Sequence, residues 1–529
     1  MGYTKKQYRE MFSRPDWDIE VLEAADVIIG KVAKEYLNLD IYPNQFEIVT
    51  AEQLLDVYSS IGLPTNYPHW KFGKDFMGNQ SKYKRGQMGL SYELVINSNP
   101  CISYNLEDNT LCMMMLVMAH AAQGHNSFFK NNYMFKQWTD AEGIVDYMVF
   151  ARDYILKCEE KYGPDEVEWT LDACHTIQRY GIDKYVHPPK MTAKKEKERL
   201  KKALKWDDEN YNDLWKTVPR KLVTEESDGK GVSNVSDPQE NILFFIEKNA
   251  PTLPQWKREL VRIVRKVAQY FYPQSQTKMI NEGWATFSHY MIINKMYDEG
   301  YLPDGFMIEF FKSHSAVVYQ PEYNSKYFSG LNPYTLGFNI FMDIKRICEN
   351  PTKEDKEWFP DIAGTEWKET ILDIVDNYRD ESFILQFMSP KVIRDFKFFL
   401  LEDSAGVIEF QVSAIHNING YKRIRKELAR QQEYNHRVPN IQIVDCDLID
   451  TRDLILGYKM SEGKELHEKD MDQVLLHVKQ IWGYDIILEL WKDDEKIGQK
   501  STDPEKVETV KKSTANNPFA YGMFMGGHV

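Results

Sequence analysis

The sequence predicts a mostly helical main domain with a small β element, followed by a C-terminal α+β domain of ferredoxin-like βαββαβ order. Apolar residues recur at helical spacing through most of the first 400 residues. Two short β-runs flank the turn at 97–100, and strand-like and helix-like segments alternate after residue 400. We expect a first half of the main domain at 1–187, a charged insert or linker at 188–240, a second half at 241–400, the ferredoxin-like domain at 401–497 and a flexible tail at 498–529.

The first half is predicted to hold several helices and one β element. Asp18 is a suitable N-cap for the first helix, and Gly163 and Gly181 are suitable stops for the last two. Residues 90–106 predict either a hairpin or an edge strand followed by a turn. The segment 111–129 is apolar on nearly every face, which indicates a buried helix. The other predicted helices cover 18–37, 51–61, 140–162 and 164–181.

The second half follows the insert, whose highly charged and then turn-rich sequence predicts a solvated helix and a mobile loop. One helix is expected to run from Pro254 to Tyr270, and a second from beyond Pro273 to Glu299. The stretch 303–337 is aromatic and predicted to be rich in loops. Further helices are expected at 336–350, 366–378 and 390–396.

The C-terminal region predicts six elements in the order strand, helix, strand, strand, helix, strand. This is the split βαβ order of a ferredoxin-like domain. The segments, in chain order, are 407–416, 421–432, 440–448, 453–460, 470–482 and 484–491.

Composition limits the function. The formal net charge of −14 argues against a protein that binds nucleic acid through its phosphates. The six cysteines are dispersed and form no CxxC pair, which is typical of a reduced compartment. The charged N-terminus has no signal-peptide core, and no apolar run is long enough to span a membrane. We therefore expect a cytoplasmic protein.

Two distant segments could together form a divalent-metal site. His120 and His125 lie in HAAQGH, and Glu282 lies in NEGWATFSH, which ends at His289. Residues five apart diverge by about 140° on an α-helix. Both histidines can therefore face one ion only if the helix ends or bulges near Gly124. Otherwise His120 is a ligand and His125 orients a ligand or faces the substrate.

On the second helix, Glu282 and His289 are seven residues apart, on one face but separated by roughly 10 Å along the axis. Glu282 is the better ligand candidate, whereas His289 could orient it, hold a second ion or contact substrate. The alternative is that Glu282 forms an ion pair with Arg262 or Arg265. A glycine inside this helix, Gly283, indicates close approach of another backbone.

Two further places carry groups that could transfer protons. Glu168, Asp172 and His175 share one predicted helix face, and the alternative for them is a solvated acidic face. His314 lies among aromatic residues in the stretch predicted to be loop-rich, where functional groups are common.

Long strings of the chain resemble the SpoVR family (stage V sporulation protein R-like), over roughly residues 15–400 and more weakly to the end. They include IYPNQFEIVTAEQLLDVYSSIGLP, YKRGQMGLSYELVINSNPCISY, AHAAQGHNSFFKNNYMFKQWTDA and RIVRKVAQYFYPQSQTKMINEGWATFSHY. The resemblance implies a bacterial-type cytoplasmic protein that is linked to spore cortex formation in spore formers. In organisms that make no spores, it implies a stress-response or stationary-phase factor.

A more distant likeness concerns mechanism. The chain is expected to have a β-hairpin, a helix with H-x-x-x-G-H and a later helix with E-G-W-A. This order is similar to that of the gluzincin-type metallopeptidases, which have a zincin-like fold. The likeness implies that His120, His125 and Glu282 bind zinc and leave a fourth position to water. The chain departs from the pattern, because Ala121 replaces the catalytic glutamate and the histidine spacing is one residue longer. His289, His175, His314 or Glu168 would then have to assist proton transfer.

Two hypotheses follow. The first is a metal-dependent hydrolase acting on a peptide or a cell-wall fragment. The second is a non-catalytic regulatory or scaffold protein whose metal site is structural or degenerate and whose C-terminal domain docks a protein partner. The missing glutamate favours the second, and the polar residues within apolar helices favour the first.

Overall fold

Helices form most of the computed structural model, which describes residues 3–60, 62–63, 66–85, 93–186, 238–402, 411–447, 450–460, 466–492 and 495–506. Contacts between residues divide the chain into two units. The first unit combines Met1–Asp172 with Glu259–Pro439, and the second combines Ala173–Arg258 with Asn440–Val529. Within the described ranges, no helix has both the length and the apolar character needed to cross a bilayer.

The helices of the N-terminal segment lie close to the predicted bounds. The first long helix begins after Asp18, whose side chain accepts a hydrogen bond from the Val21 amide at 2.9 Å. This is the predicted N-cap. The helices at Lys5–Met11, Trp70–Lys84 and Tyr133–Trp138 were not predicted. The remaining helices before the insert are Ile19–Leu37, Ala51–Ser59, Leu111–Val117, Asn126–Asn131, Ile144–Tyr162 and Pro164–Thr176.

After the insert, two predictions are wrong. The first concerns the end of the helix expected at Pro254–Tyr270: the helix at Gln255–Gln276 continues past Pro273, which lies in its last turn. The stretch predicted to be loop-rich contains the helix Asp304–Val317, so His314 is helical. The other helices of this segment, up to residue 439, are Lys278–Asp298, Pro333–Glu349, Lys353–Trp358, Trp367–Asn377, Asp380–Phe387, Pro390–Asp395, Ile418–Arg430 and Tyr434–Arg437.

The buried helix predicted at 111–129 contains a π-helix. Residues Leu111–Val117 are α-helical, Met118–His125 form the π-helix, and Asn126–Asn131 are again α-helical. All eight residues of the π-helix are buried. The bulge that would allow two histidines five residues apart to share one face is therefore present.

A small sheet packs against the π-helix. It has the order β1–β3–β2, with β1 at Asn44–Val49, β2 at Glu93–Ile96 and β3 at Cys101–Leu106. Strands β2 and β3 pair antiparallel, which confirms the predicted hairpin, and β1 runs parallel to β3. Asn126, at the end of the π-helix, donates to the Tyr42 carbonyl at 2.8 Å and to Asn44 Oδ1 at 2.7 Å. These bonds fasten the helix to the start of β1.

Glycines allow the helices at the centre of the first unit to approach one another closely. A Cβ at Gly124 would lie 2.6 Å from the Cα of Ala285. A Cβ at Gly283 would lie 2.5 Å from the Cα of Gly337. The close backbone approach expected at Gly283 is therefore confirmed, and a similar contact joins the π-helix to the Lys278–Asp298 helix. We call this second element the Glu282 helix.

A buried carboxylate caps the N-terminus of the Glu282 helix. Asp380 is only 1% exposed to solvent. Its carboxylate accepts hydrogen bonds from the backbone amides of Met279 at 3.1 Å and Ile280 at 2.9 Å. The two amides belong to the first turn, where helices have no internal acceptors. Burial raises the pKa of Asp380 to about 7, although the amide hydrogen bonds oppose the rise.

The C-terminal region differs from the predicted ferredoxin-like arrangement. The first predicted strand is β5 (Gln411–Ala414), which pairs with β4 (Leu400–Glu402) in a separate two-stranded sheet of the first unit. It pairs there because β4 immediately precedes it along the chain.

The sheet of the second unit has the order β6–β7–β8–β9. Its strands are Ile441–Cys446, Leu454–Lys459, Ile486–Lys492 and Glu495–Ser501. The Glu468–Trp482 helix connects the parallel pair β7 and β8, and the other pairs are antiparallel. Strand β9 was not predicted, because EKIGQKS lacks an apolar alternation. The unit also contains the Ile242–Asn249 helix.

The predicted tail and the predicted charged insert lie largely outside the described residues. The tail was expected to begin at residue 498, but β9 extends to Ser501 and a short 3-10 helix covers Pro504–Lys506. The rest of the tail, 507–529, lies outside the described residues. The charged insert lies outside them from 188 to 237.

Replacing Gly124 with alanine should destabilise the first unit. The added methyl meets the backbone of Ala285, so one of the two helices must shift, and we expect a loss of about 1–3 kcal/mol in the free energy of unfolding. Chemical denaturation measures it. Gly73→Ala is the control, because no atom of the described residues lies within 4 Å of its added Cβ. Since alanine favours a helix more than glycine does, this variant should gain at most about 1 kcal/mol in the free energy of unfolding. Equal stabilities of Gly124→Ala and wild type would contradict the close crossing.

The Asp380 cap should make stability depend on pH with a defined sign. Because the folded pKa, about 7, lies above the ordinary value of 3.8, ionisation of this group opposes folding. Its contribution is complete below about pH 4 and is lost as the pH rises through 7. The wild type should therefore lose stability relative to Asp380→Asn between pH 5 and pH 8, on the order of a few kcal/mol. Unfolding curves of both proteins at the two pH values test this, and parallel pH dependences would refute it.

Candidate metal centre

Three side chains converge where the π-helix crosses the Glu282 helix. One ligand atom from each of His120, His125 and Glu282 lies within 4.8 Å of the others. Oε2 of Glu282 lies 3.7 Å from Nε2 of His120 and 3.3 Å from Nε2 of His125. Two ligands of one ion lie within about 4–5 Å of each other. The two segments that the sequence singled out do meet, and the separation of His120 and Glu282 satisfies this condition.

The π-helix explains how histidines with an unusual spacing face one point. In an α-helix, residues four apart lie above one another, because each turn is closed by an i to i+4 hydrogen bond. A π-helix closes each turn with an i to i+5 bond, so residues five apart are the ones that align. His120 and His125 accordingly contact each other, with ring centroids 4.7 Å apart.

The Glu282 helix also orients one of these histidines. Nδ1 of His125 lies 2.9 Å from Oδ1 of Asn281, the residue before Glu282. The amide oxygen can only accept, so Nδ1 carries the proton and the lone pair of Nε2 points toward Glu282. Asn281 was not predicted to act, although its place beside Glu282 in the sequence was a usable signal.

The other histidine begins a buried chain of three imidazoles. Nδ1 of His120 lies 3.0 Å from Nδ1 of His289, and Nε2 of His289 lies 2.8 Å from Nδ1 of His314. If His120 donates from Nδ1, its Nε2 is left with a free lone pair, and each ring can donate to the next while remaining neutral. Both predicted residues, His289 and His314, are thus brought to the site.

Burial keeps the end of this chain neutral. It lowers the pKa of His289 well below the usual range, and the charges of His120 and His314 act in the same direction. Burial also lowers the pKa of His314 to about 4, again reinforced by His120. A neutral ring is the form that can accept a hydrogen bond from His120.

Glu282 is held ionised in spite of its burial. Burial alone would raise its pKa, but the nearby charges of His125 and His120 oppose that effect, and the pKa lies well below the usual range. For His125, burial opposes protonation, but the charge of Glu282 prevails and raises the pKa. Both shifts favour an ionised Glu282, which is the form of a carboxylate that binds a cation.

Two residues that the sequence did not single out also lie at the centre. Oε1 of Glu93, the first residue of β2, lies 3.9 Å from Nε2 of His120. Burial raises the pKa of Glu93, as does the charge of Glu282, while the two histidines oppose the rise. The ring of Tyr334 stacks on His120 with centroids 6.0 Å apart, and the charge of Glu282, followed by burial, raises its pKa. Neither residue belongs to a recognisable motif.

The donor set suits a divalent cation. Oε2 of Glu282 is buried and has no hydrogen-bond partner among the residues that the structure describes. A buried carboxylate oxygen without a hydrogen bond is costly, and a bound cation would satisfy it. Two imidazoles and one carboxylate are ligands that zinc accepts, typically in sites with one open position.

The remaining predicted groups have other surroundings. Asp172 lies 3.2 Å from His69 Nε2 and accepts a hydrogen bond from Trp70 at 2.9 Å, and Glu168 contributes to the charge around His69. His175 belongs to the second unit, and its role stays a prediction. Arg262 forms its ion pair with Glu259 at 2.6 Å, whereas Glu282 pairs with the histidines.

A cleft of about 310 Å³ lies elsewhere in the first unit. Asp26, Asn105, Met114 and Met118 are among its lining residues, which include none of the groups at the metal centre. The cleft is therefore separate from the three-ligand cluster.

Comparisons with known proteins agree with the resemblance noted in the sequence. Residues 16–437 match the family model described as SpoVR like protein, and residues 439–493 match the SpoVR-like C-terminal domain. The boundary between the two matches coincides with the point at which the second unit resumes, at Asn440.

The chain is also 52% identical over 483 residues to a protein of Escherichia coli (strain K12) named "Uncharacterized protein YcgB". The alignment covers 91% of this chain and 94% of that protein. No solved structure matches significantly. On the extent of the family matches, the chain belongs to the SpoVR family.

Proposed function

We propose that this protein binds one divalent metal ion, with zinc as the best fit, through His120, His125 and Glu282, and that it is a metal-dependent hydrolase. The observation that carries the proposal is the convergence of three ligand atoms, one of which is a buried carboxylate oxygen that has no hydrogen-bond partner in the described part of the chain. Its substrate class would be a peptide or a peptide-bearing cell-wall fragment, as the gluzincin-like layout suggests.

The bound ion would act as a Lewis acid and would lower the pKa of a bound water. The chain's own residues supply the rest. Asn281 holds the ring of His125, and His289 holds that of His120. Partners of this kind fix the tautomer and direction of a ligand histidine. Because both nitrogens of His289 are engaged, by His120 and His314, this residue positions a ligand and does not reach the substrate.

A second candidate function is favoured by one residue. Ala121 stands where an HExxH helix has its catalytic glutamate, so the π-helix carries no base. A non-catalytic regulatory protein with a structural metal would share the three ligands but would need no base. Its partner would be another protein, docked through the C-terminal domain. In both cases the six free cysteines favour a cytoplasmic protein, and the link to spore cortex formation or stress stays a prediction from the family.

Metal content tests the site. Protein purified without chelators should contain about one zinc per chain by mass spectrometry of the metal, and His120→Ala and Glu282→Gln should each lose it, because each removes a ligand. His467→Ala is the control, since its side chain is 71% exposed and lies in the second unit. Wild type without metal after reconstitution with zinc would refute the proposal.

Catalysis is separated from the structural alternative by a second readout. Metal-loaded wild type and the metal-free variant Glu282→Gln are incubated with casein peptides and with muramyl peptides, and the release of new amino groups is followed. Release that requires the metal supports the hydrolase. A stoichiometric metal without release from either probe supports the structural candidate.

Replacing His289 should weaken metal binding without removing a ligand. His289→Phe keeps a ring in the buried site but cannot accept from His120, so the imidazole of His120 loses its orientation. We expect a 10- to 100-fold loss of zinc affinity, measured by competition with a chromophoric chelator. An unchanged affinity would show that the three-imidazole chain does not support the ligand.

A further inference from the structure

The hairpin brings a second carboxylate to the candidate metal centre. Glu93 opens β2, and its side chain is 19% exposed, close to the 18% of Glu282. Nε2 of His120 is near both carboxylates, 3.7 Å from Oε2 of Glu282 and 3.9 Å from Oε1 of Glu93. Glu93 therefore faces the same atom that would bind the ion.

Glu93 lies farther from the point where the three proposed ligands converge than those ligands do. It falls outside the group whose ligand atoms all lie within 4.8 Å of one another. Two ligands of one zinc ion, each bound at about 2.1 Å, can be at most about 4.2 Å apart. Glu93 meets this limit toward Nε2 of His120, at 3.9 Å, but not toward all three ligand atoms. This arrangement suits a carboxylate that contacts a water on the open side of the ion better than it suits a fourth ligand.

The other candidate bases at the centre are already engaged. Both ring nitrogens of His289 have imidazole partners, and Nδ1 of His314 is taken by His289. The π-helix offers Ala121 at the position after its first histidine. If Glu282 binds the ion, Glu93 is the remaining carboxylate among the described residues at the candidate centre, and it is available to act as a base.

We propose that Glu93 is the general base of this site and takes the place of the glutamate that the π-helix lacks. The inference rests on the proposed hydrolase function. Glu93 accepts a hydrogen bond from the attacking water and removes its proton, while the water oxygen forms a bond to the carbonyl carbon of the substrate. The bond from that carbon to the leaving nitrogen then breaks, and the proton passes from Glu93 to the nitrogen.

The test uses the full-length protein loaded with Co²⁺, whose visible spectrum reports the open coordination position. Azide displaces a bound water, and a carboxylate that faces that water repels the anion. Glu93→Gln should keep one Co²⁺ per chain and bind azide at least 10-fold more tightly than wild type. Glu93→Asp retains the charge, so its azide affinity should stay within about threefold of wild type.

Glu47→Gln is the matched control. It removes one carboxylate from the same sheet, on β1 at the opposite edge, where Glu47 accepts from Gln45. Its azide affinity should equal that of wild type.

Each other outcome overturns the inference. Equal azide affinity in Glu93→Gln and wild type means that Glu93 does not face the open position. Loss of Co²⁺ from Glu93→Gln means that Glu93 is a ligand and the site is closed. In the first case the three-ligand proposal survives, and in the second the metal site survives with Glu93 as a fourth ligand, whereas a wild type that takes up no Co²⁺ removes the metal centre itself. Where Glu93→Gln fails to fold, Glu93→Ala in the same titration gives the same reading.

Discussion

The site depends on one contact, the crossing of the π-helix and the Glu282 helix at Gly124 and Ala285. A side chain at position 124 would meet the neighbouring backbone at 2.6 Å, so the two helices approach as closely as their main chains allow. That approach brings imidazoles from one helix and a carboxylate from the other within ligand distance. The same crossing lets the second helix hold both rings, one through Asn281 and the other through His289.

Local signals predicted much of this framework. The Asp18 cap, the hairpin and the approach at Gly283 each follow from residues close together in sequence, and each is present. The π-helix was foreseen only as one of two alternatives, because i to i+5 hydrogen bonding leaves no distinct apolar period. His314 was misplaced in a loop, since the aromatic residues around it obscured the helical pattern of 304–317. The C-terminal strands were found, but not their partners, because pairing depends on contacts between distant segments.

The candidate site was predictable as far as its ligands and no further. His120, His125 and Glu282 stand out in the sequence because they are metal-ligating residue types within apolar helices. Glu93 is one of many glutamates, and only the folding of the hairpin onto the π-helix brings it to 3.9 Å from His120. The difference matters for function. A helix without its glutamate suggests a degenerate site, whereas the proposed role of Glu93 would supply the missing carboxylate from the neighbouring strand.

X-ray absorption at the zinc edge tests the central claim most directly, because it reports the ligands of the ion in the intact protein. The account predicts a first shell of nitrogen and oxygen atoms near 2.0–2.1 Å, with outer-shell scattering from two imidazoles. In the variant His125→Ala, we expect the scattering from one of the two imidazoles to be lost. A shell that contains sulfur near 2.3 Å, or scattering from no imidazole, would contradict the account.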